Sequence, residues 1–117
     1  MRKIAATAAL LLAGSAANAA NYQGLIGNVT PNSGRLFITV GTGGFDGSGS
    51  TCYAVTSVMI YSVDVSTANG KALLATALSA KLSGKQVYVY GDGSCASGGN
   101  PYDGKGSENM VGIDLKG

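Results

Sequence analysis

Two cysteines, six acidic side chains and no histidine define the chemistry open to this chain of 117 residues. A thiol such as Cys52 or Cys95 can attack a substrate, ligate a metal or pair with another thiol. Attack requires a base that generates the thiolate, and no imidazole is present. Zinc requires four Cys, His or carboxylate donors, and two cysteines without histidine leave such a site short of ligands. A Ser-His-Asp or Cys-His device is excluded for the same reason. Pairing of Cys52 with Cys95 is the remaining use, and the N-terminus supplies the compartment for it.

The first residues read "MRKIAATAALLLAGSAANA". Arg2 and Lys3 make a basic start, Ile4 to Leu12 a short apolar run, and Ala17-Asn18-Ala19 a small-residue cleavage site. The apolar run is too short to span a bilayer, which takes ~20 such residues. The expected organisation is a signal peptide over residues 1–19 and one domain over residues 20–117, periplasmic or secreted, with no membrane span. In that oxidising setting two cysteines form a disulfide. Loss of Arg2 and Lys3 from the eight Lys and Arg leaves six basic residues against six acidic ones. The cations are scattered, so a nucleic-acid partner is not expected.

Other candidate motifs are weaker. "GNPYDGKGS", Gly99 to Ser107, has the glycine and lysine spacing of a phosphate-binding loop, but Gly106 replaces the magnesium-binding hydroxyl and a strand follows instead of a helix. Asp46, Asp92 and Asp103 each precede glycine, the favoured turn pair, and lack the spacing of a calcium loop. A glycosidase-type carboxylate pair among the aspartates and Glu108 would work on sugars without a tryptophan to stack them. No metal, no cofactor and no enzymatic activity are expected. The tyrosines are better placed: Tyr88 and Tyr90 alternate with Val87 and Val89. With the valines as core, the tyrosines face outward beside Asp92 and the next glycine loop, and Tyr53, Tyr61 and Tyr102 are candidates to approach them. Tyr88, Tyr90, Asp92 and Tyr102 are therefore the candidate ligand-binding residues.

The elements that position these groups follow from pattern. "ANYQGLIGNV" puts Leu25, Gly27 and Val29 on one face of a strand, "TPNSG" turns, and "RLFITV" alternates with Leu36, Ile38 and Val40 on one side. A loop "GTGGFDGSGS" leads to "TCYAVTSVMIYSVDVS", in which Cys52 to Ser57 read as strand that continues past a bend. "STANGKALLATALSAKLSG" is the one helix, capped by Ser66 or Thr67 and closed by Gly84, with Leu74, Leu78 and Leu82 as its apolar stripe. "QVYVYG", a second glycine loop carrying Cys95, and a strand "NMVGIDL" complete the chain. Five strands with a helix between the third and fourth is the order of an OB-like Greek-key barrel. An open antiparallel sheet with a helix on one face is the alternative.

Cys52-Tyr53-Ala54-Val55, the helix ending in "KLSGK" and the strand "QVYVYG" resemble small exported bacterial proteins of unknown role and, more distantly, the B subunits of subtilase-cytotoxin and pertussis-like toxins. The resemblance covers Cys52 to Gly91 and carries over no glycan-binding residue. Those subunits have OB-folds, form pentameric rings and bind sialylated glycans, so the resemblance implies an OB-like fold, assembly into a ring and a glycan ligand. The first expectation is a disulfide-stapled OB-like binding module with a glycan or protein ligand. The other expectation is a structural or assembly subunit of a homo-oligomer, whose tyrosine faces contact neighbouring copies.

Overall fold

A computed structural model describes residues 19–55 and 57–116. Apart from Ala19, the expected signal peptide lies outside the described residues. Five strands and one helix follow in the order β1 (Asn21–Asn32), β2 (Arg35–Phe45), β3 (Val58–Val63), α1 (Ala68–Ser83), β4 (Val87–Cys95) and β5 (Glu108–Leu115). They close into an OB-like barrel in the order β1-β2-β3-β5-β4. All neighbours are antiparallel except β3 and β5, which meet in a short parallel ladder, Tyr61 beside Glu108 and Ser62 beside Asn109. Closure replaces the open sheet of the alternative reading and removes the unpaired edges such a sheet would expose. Among the described residues, no helix is long and apolar enough to cross a membrane.

β1 and β2 join through Ser33 and Gly34, both at positive φ (52° and 82°), as a two-residue hairpin turn requires. The turn is tighter than "TPNSG" suggests because Thr30, Pro31 and Asn32 still pair with β2. The inward face of β1 is also different from the expected one. Tyr22, Gly24 and Ile26 are buried, and Leu25 and Gly27 face solvent. A register shift between Ile26 and Val29 changes the phase, so only Val29 rejoins the core. A second shift lies between Gln23 and Leu25, where a Cβ on Gly43 would collide with the Gln23 carbonyl. The segment read as a glycine loop is thus half strand, since β2 continues to Phe45.

Leu36, Ile38 and Val40 share the barrel interior with Met59, Tyr61 and Val63 of β3, as the register dictates. Phe37 and Thr39 are buried as well, on the other face. Tyr102 covers that face, its hydroxyl donating to the Phe37 carbonyl (3.1 Å) and sharing a hydrogen bond with the Thr30 hydroxyl (2.7 Å). Cys52 to Val55 are not strand; they belong to the loop ahead of β3. Cys95 ends β4 rather than sitting in the loop beyond it. The Cys52–Cys95 disulfide joins the two, with Cα atoms 5.3 Å apart.

α1 caps the barrel against β5, β1 and β3. Thr67 is its N-cap, with Oγ1 accepting from the Gly70 N–H at 2.9 Å. Gly84 ends it in the left-handed region (φ 68°), and Lys85 N–H returns to the Ala80 carbonyl at 3.2 Å. The buried face is Gly70, Leu73, Ala77 and Ala80, not the leucine stripe. Leu78 is 41% exposed and Leu82 87% exposed. Close approach explains the choice: Gly70 packs so tightly on the Asp64 carbonyl that a Cβ there would overlap it, and alanines continue that line of contact. A row of leucines would hold the helix farther from the barrel.

Candidate functional site

The structure divides the four residues singled out as ligand-binding among three places. Tyr88 and Tyr90 do stand together on the outer face of β4, with ring centroids 4.8 Å apart, while Val87 and Val89 are fully buried. Both hydroxyls are already engaged: Tyr88 donates to Asp46, and Tyr90 donates to Asp114 at 2.9 Å. Those carboxylates raise the phenol pKa values, because ionisation would place two anions side by side. Lys116 Nζ lies 5.9 Å over the Tyr88 ring, and the Tyr90 ring lies across Gly112. The pair forms a self-satisfied outer patch.

Asp92 turns back on its own loop, accepting from the Ser94 N–H (2.8 Å) and hydroxyl (2.7 Å). Tyr102 is part of the cover over β2. Its loop is organised by buried Asn100, whose Nδ2 donates to Asp103 Oδ1 (2.8 Å), the Lys105 carbonyl (2.9 Å) and the Gly106 carbonyl (3.1 Å). Asp103 also accepts from the Tyr53 hydroxyl at 2.6 Å. That bond, foremost among the causes, holds the Asp103 carboxyl below its usual range. Burial, aided by Asp103, pushes Tyr53 up to about 12. Tyr61 is interior, donating to the Ala20 carbonyl at 2.7 Å. Neither Tyr53 nor Tyr61 joins the Tyr88–Tyr90 patch. Asp46, Asp92 and Asp103 thus serve three separate local networks.

A concave feature lies elsewhere, between the start of β2, the end of β3, the first turn of α1 and β5. It is a pocket of ≈ 240 Å³ lined by Arg35, Ser62, Asp64, Asn69 and Asn109, with Leu73 and Met110 at its base. The β2–β3 and β3–β5 registers bring these residues together from positions far apart in sequence. Arg35 Nη2 donates to Asn109 Oδ1 (2.9 Å) and Ser62 Oγ (3.2 Å), and Ser62 Oγ donates to Asn109 Oδ1 (3.1 Å). Arg35 Nε has no partner among the described residues. Asp64 accepts from the Ser66 hydroxyl (2.6 Å) and N–H (3.0 Å). These bonds, with a smaller contribution from the Arg35 charge, keep its carboxyl below the usual range. With Thr67 also in its lining, the pocket presents a guanidinium, a carboxylate, two amides and two hydroxyls within one small concavity.

Sequence reasoning missed this pocket. Its one local signal was Arg35, the sole arginine outside the expected signal peptide, placed against a hairpin turn. Ser62 and Asn109 carry no signal of their own, because only the parallel contact between β3 and β5 makes them neighbours. No family model, curated protein or solved structure matches the chain.

Proposed function

We propose that the protein is an exported, non-enzymatic binding module that takes one unit of a glycan in the Arg35 pocket. The observation that carries this is the interleaving of donors and acceptors there. Arg35, Asn69 and Asn109 can donate, and Asp64 and the amide oxygens can accept, an arrangement suited to a ligand with adjacent hydroxyl groups. Its volume suits a single sugar unit. Export is supported by the N-terminal pattern and by the disulfide, which persists in oxidising compartments. Asp64 is the one carboxylate lining the pocket, which favours holding a sugar over hydrolysing it, since hydrolysis takes two.

The test is a titration of the exported protein with neutral and acidic sugars, followed by amide chemical shifts. Shifts should centre on Arg35, Ser62, Asp64 and Asn109, and Arg35→Met should abolish them while circular dichroism stays native. Tyr88→Ser combined with Tyr90→Ser should fold and bind as before. Shifts confined to the tyrosine patch, or loss of binding in the double variant alone, would move the site there.

A second reading, an assembly subunit, is favoured by Leu82 and Leu78 on the outer side of α1. Apolar side chains this exposed suit a contact between copies. Sedimentation at increasing concentration tests it: self-association lost in Leu82→Lys supports this reading, and a monomer at all concentrations removes it.

A further inference from the structure

Glu108, the first residue of β5, is fully buried, and every hydrogen bond its carboxylate accepts comes from a neutral group. Oε1 accepts from the Ser50 hydroxyl at 2.7 Å. Oε2 accepts from the Gly93 N–H at 3.0 Å and from the backbone nitrogen of Ala20 at 2.8 Å. A buried carboxylate without a cation is costly. Ala20 is buried too, and Ala19 before it is exposed. The Ala20 carbonyl is fixed by the Tyr61 hydroxyl (2.7 Å) and the Gly91 N–H (3.1 Å). Gly91 must be glycine for this, since a Cβ there would strike Glu108 Oε2.

The cleavage pattern places the scissile bond between Ala19 and Ala20. It is read from the chain terminus without reference to the barrel, yet it falls on the residue whose nitrogen meets the buried carboxylate. Hydrolysis by a signal peptidase consumes one water, leaves a carboxylate on Ala19 and turns the Ala20 nitrogen into an ammonium. We propose that Glu108 is a built receptor for this new α-ammonium group, so that cutting the chain creates a buried ion pair that fixes the start of β1 in the barrel. A cut one residue earlier would leave the ammonium at exposed Ala19. One residue later, the Ala20 nitrogen and carbonyl would both be gone. In the uncut chain the same nitrogen donates only as a neutral amide, with exposed Ala19 joined to it. The exported, processed form is therefore the tighter one.

This inference rests on export and cleavage after Ala19, and not on the ligand of the Arg35 pocket. Intact mass of the exported protein should show Ala20 as the first residue; any other N-terminus overturns the proposal. Urea denaturation then compares this protein with a chain carrying one extra alanine ahead of Ala20. The extension should lower the folded-to-unfolded ratio by about tenfold, the margin of a charge-assisted over a neutral hydrogen bond. The same extension in a Glu108→Gln background should have little effect. An unchanged ratio, or equal losses in both backgrounds, overturns the proposal. Should Glu108→Gln not fold, labelling of the wild-type protein with an amine-reactive ester decides. The α-amine should resist modification until denaturant is added while the lysines react, and equal reactivity refutes the pairing.

Discussion

Leu73→Ala against Leu78→Ala tests which face of α1 is buried. Leu73 is 6% exposed and meets the end of the barrel near Val63 and Met110; Leu78 is 41% exposed on the opposite side. Truncating a buried leucine removes its transfer free energy and leaves a cavity, for a total of about 2–5 kcal/mol. Two features place Leu73 in the lower half of that range. Met110 has a flexible side chain able to move into the space, and the Arg35 pocket next to it can admit water. The expected loss is about 2–3 kcal/mol. Leu78 gives up far less apolar contact, and alanine is the better helix former, so its loss should stay below about 1 kcal/mol. Against a total stability of about 5–15 kcal/mol, the first change is large and the second small. Urea denaturation followed at 222 nm reads both from the shift in midpoint at constant slope. Equal losses, or a larger loss for Leu78→Ala, would refute the buried face and the close-approach argument behind it.

Two further predictions concern the loops. Reducing the Cys52–Cys95 bond, which spans 43 residues, should destabilise the barrel by about 4 kcal/mol in the chain-entropy account, and alkylation should find no free thiol before reduction. Two alkylated cysteines in the untreated protein would contradict the staple. At high pH the raised phenols oppose folding: the unfolded chain ionises tyrosine near its ordinary pKa of about 10, while folded Tyr53 holds its proton to about 12 and Tyr61 beyond that. The stability they contribute is complete below pH ~10 and is lost as pH rises through that window. Absorbance at 295 nm should show these two phenols titrating only when unfolding begins, and Tyr53→Phe should remove part of the stability loss between pH 10 and 12.

Much of the architecture is legible in local pattern. Strict alternation in "RLFITV" and "QVYVYG" locates two barrel strands, and the absence of a polar group on branched aliphatics, not the alternation, puts Val87 and Val89 in the interior. Thr67 and Gly84 mark the helix ends through the backbone groups they satisfy. The misreadings share a cause, in that periodicity gives spacing but not phase. Leucines at Leu74, Leu78 and Leu82 make a clear stripe, yet the barrel takes the adjacent line of small residues because it allows closer packing. In β1 the register shift after Ile26 turns one apparent face into two. The Arg35 pocket was illegible because its residues come from four elements that only barrel closure brings together. Glu108 gave no sign of burial at all: it follows a glycine loop, where an acidic residue ordinarily faces water.

The same closure explains why so much chemistry collects at one seam. β3 and β5 share only the Tyr61–Glu108 and Ser62–Asn109 pairs, so backbone hydrogen bonding alone closes the barrel weakly there. Side chains supply the rest. On the outer face, Arg35 bridges Ser62 of β3 to Asn109 of β5. On the inner face, Glu108 gathers Ala20, Ser50 and the Gly93 bulge of β4. Ser50 Oγ also accepts from the Cys52 N–H at 3.0 Å, and Cys95, bonded to Cys52, is the β4 partner of Glu108. Disulfide, carboxylate and guanidinium therefore brace one junction from three sides. A ligand held by Arg35 and Asn109 would span that seam, and its binding free energy would add directly to barrel closure. Occupancy of the pocket and stability of the fold are then two readings of one equilibrium. A sugar that shifts the Arg35 and Asn109 resonances must also raise the urea midpoint by the amount its dissociation constant and concentration dictate, and an unchanged midpoint at saturating sugar would refute selective binding to the closed barrel.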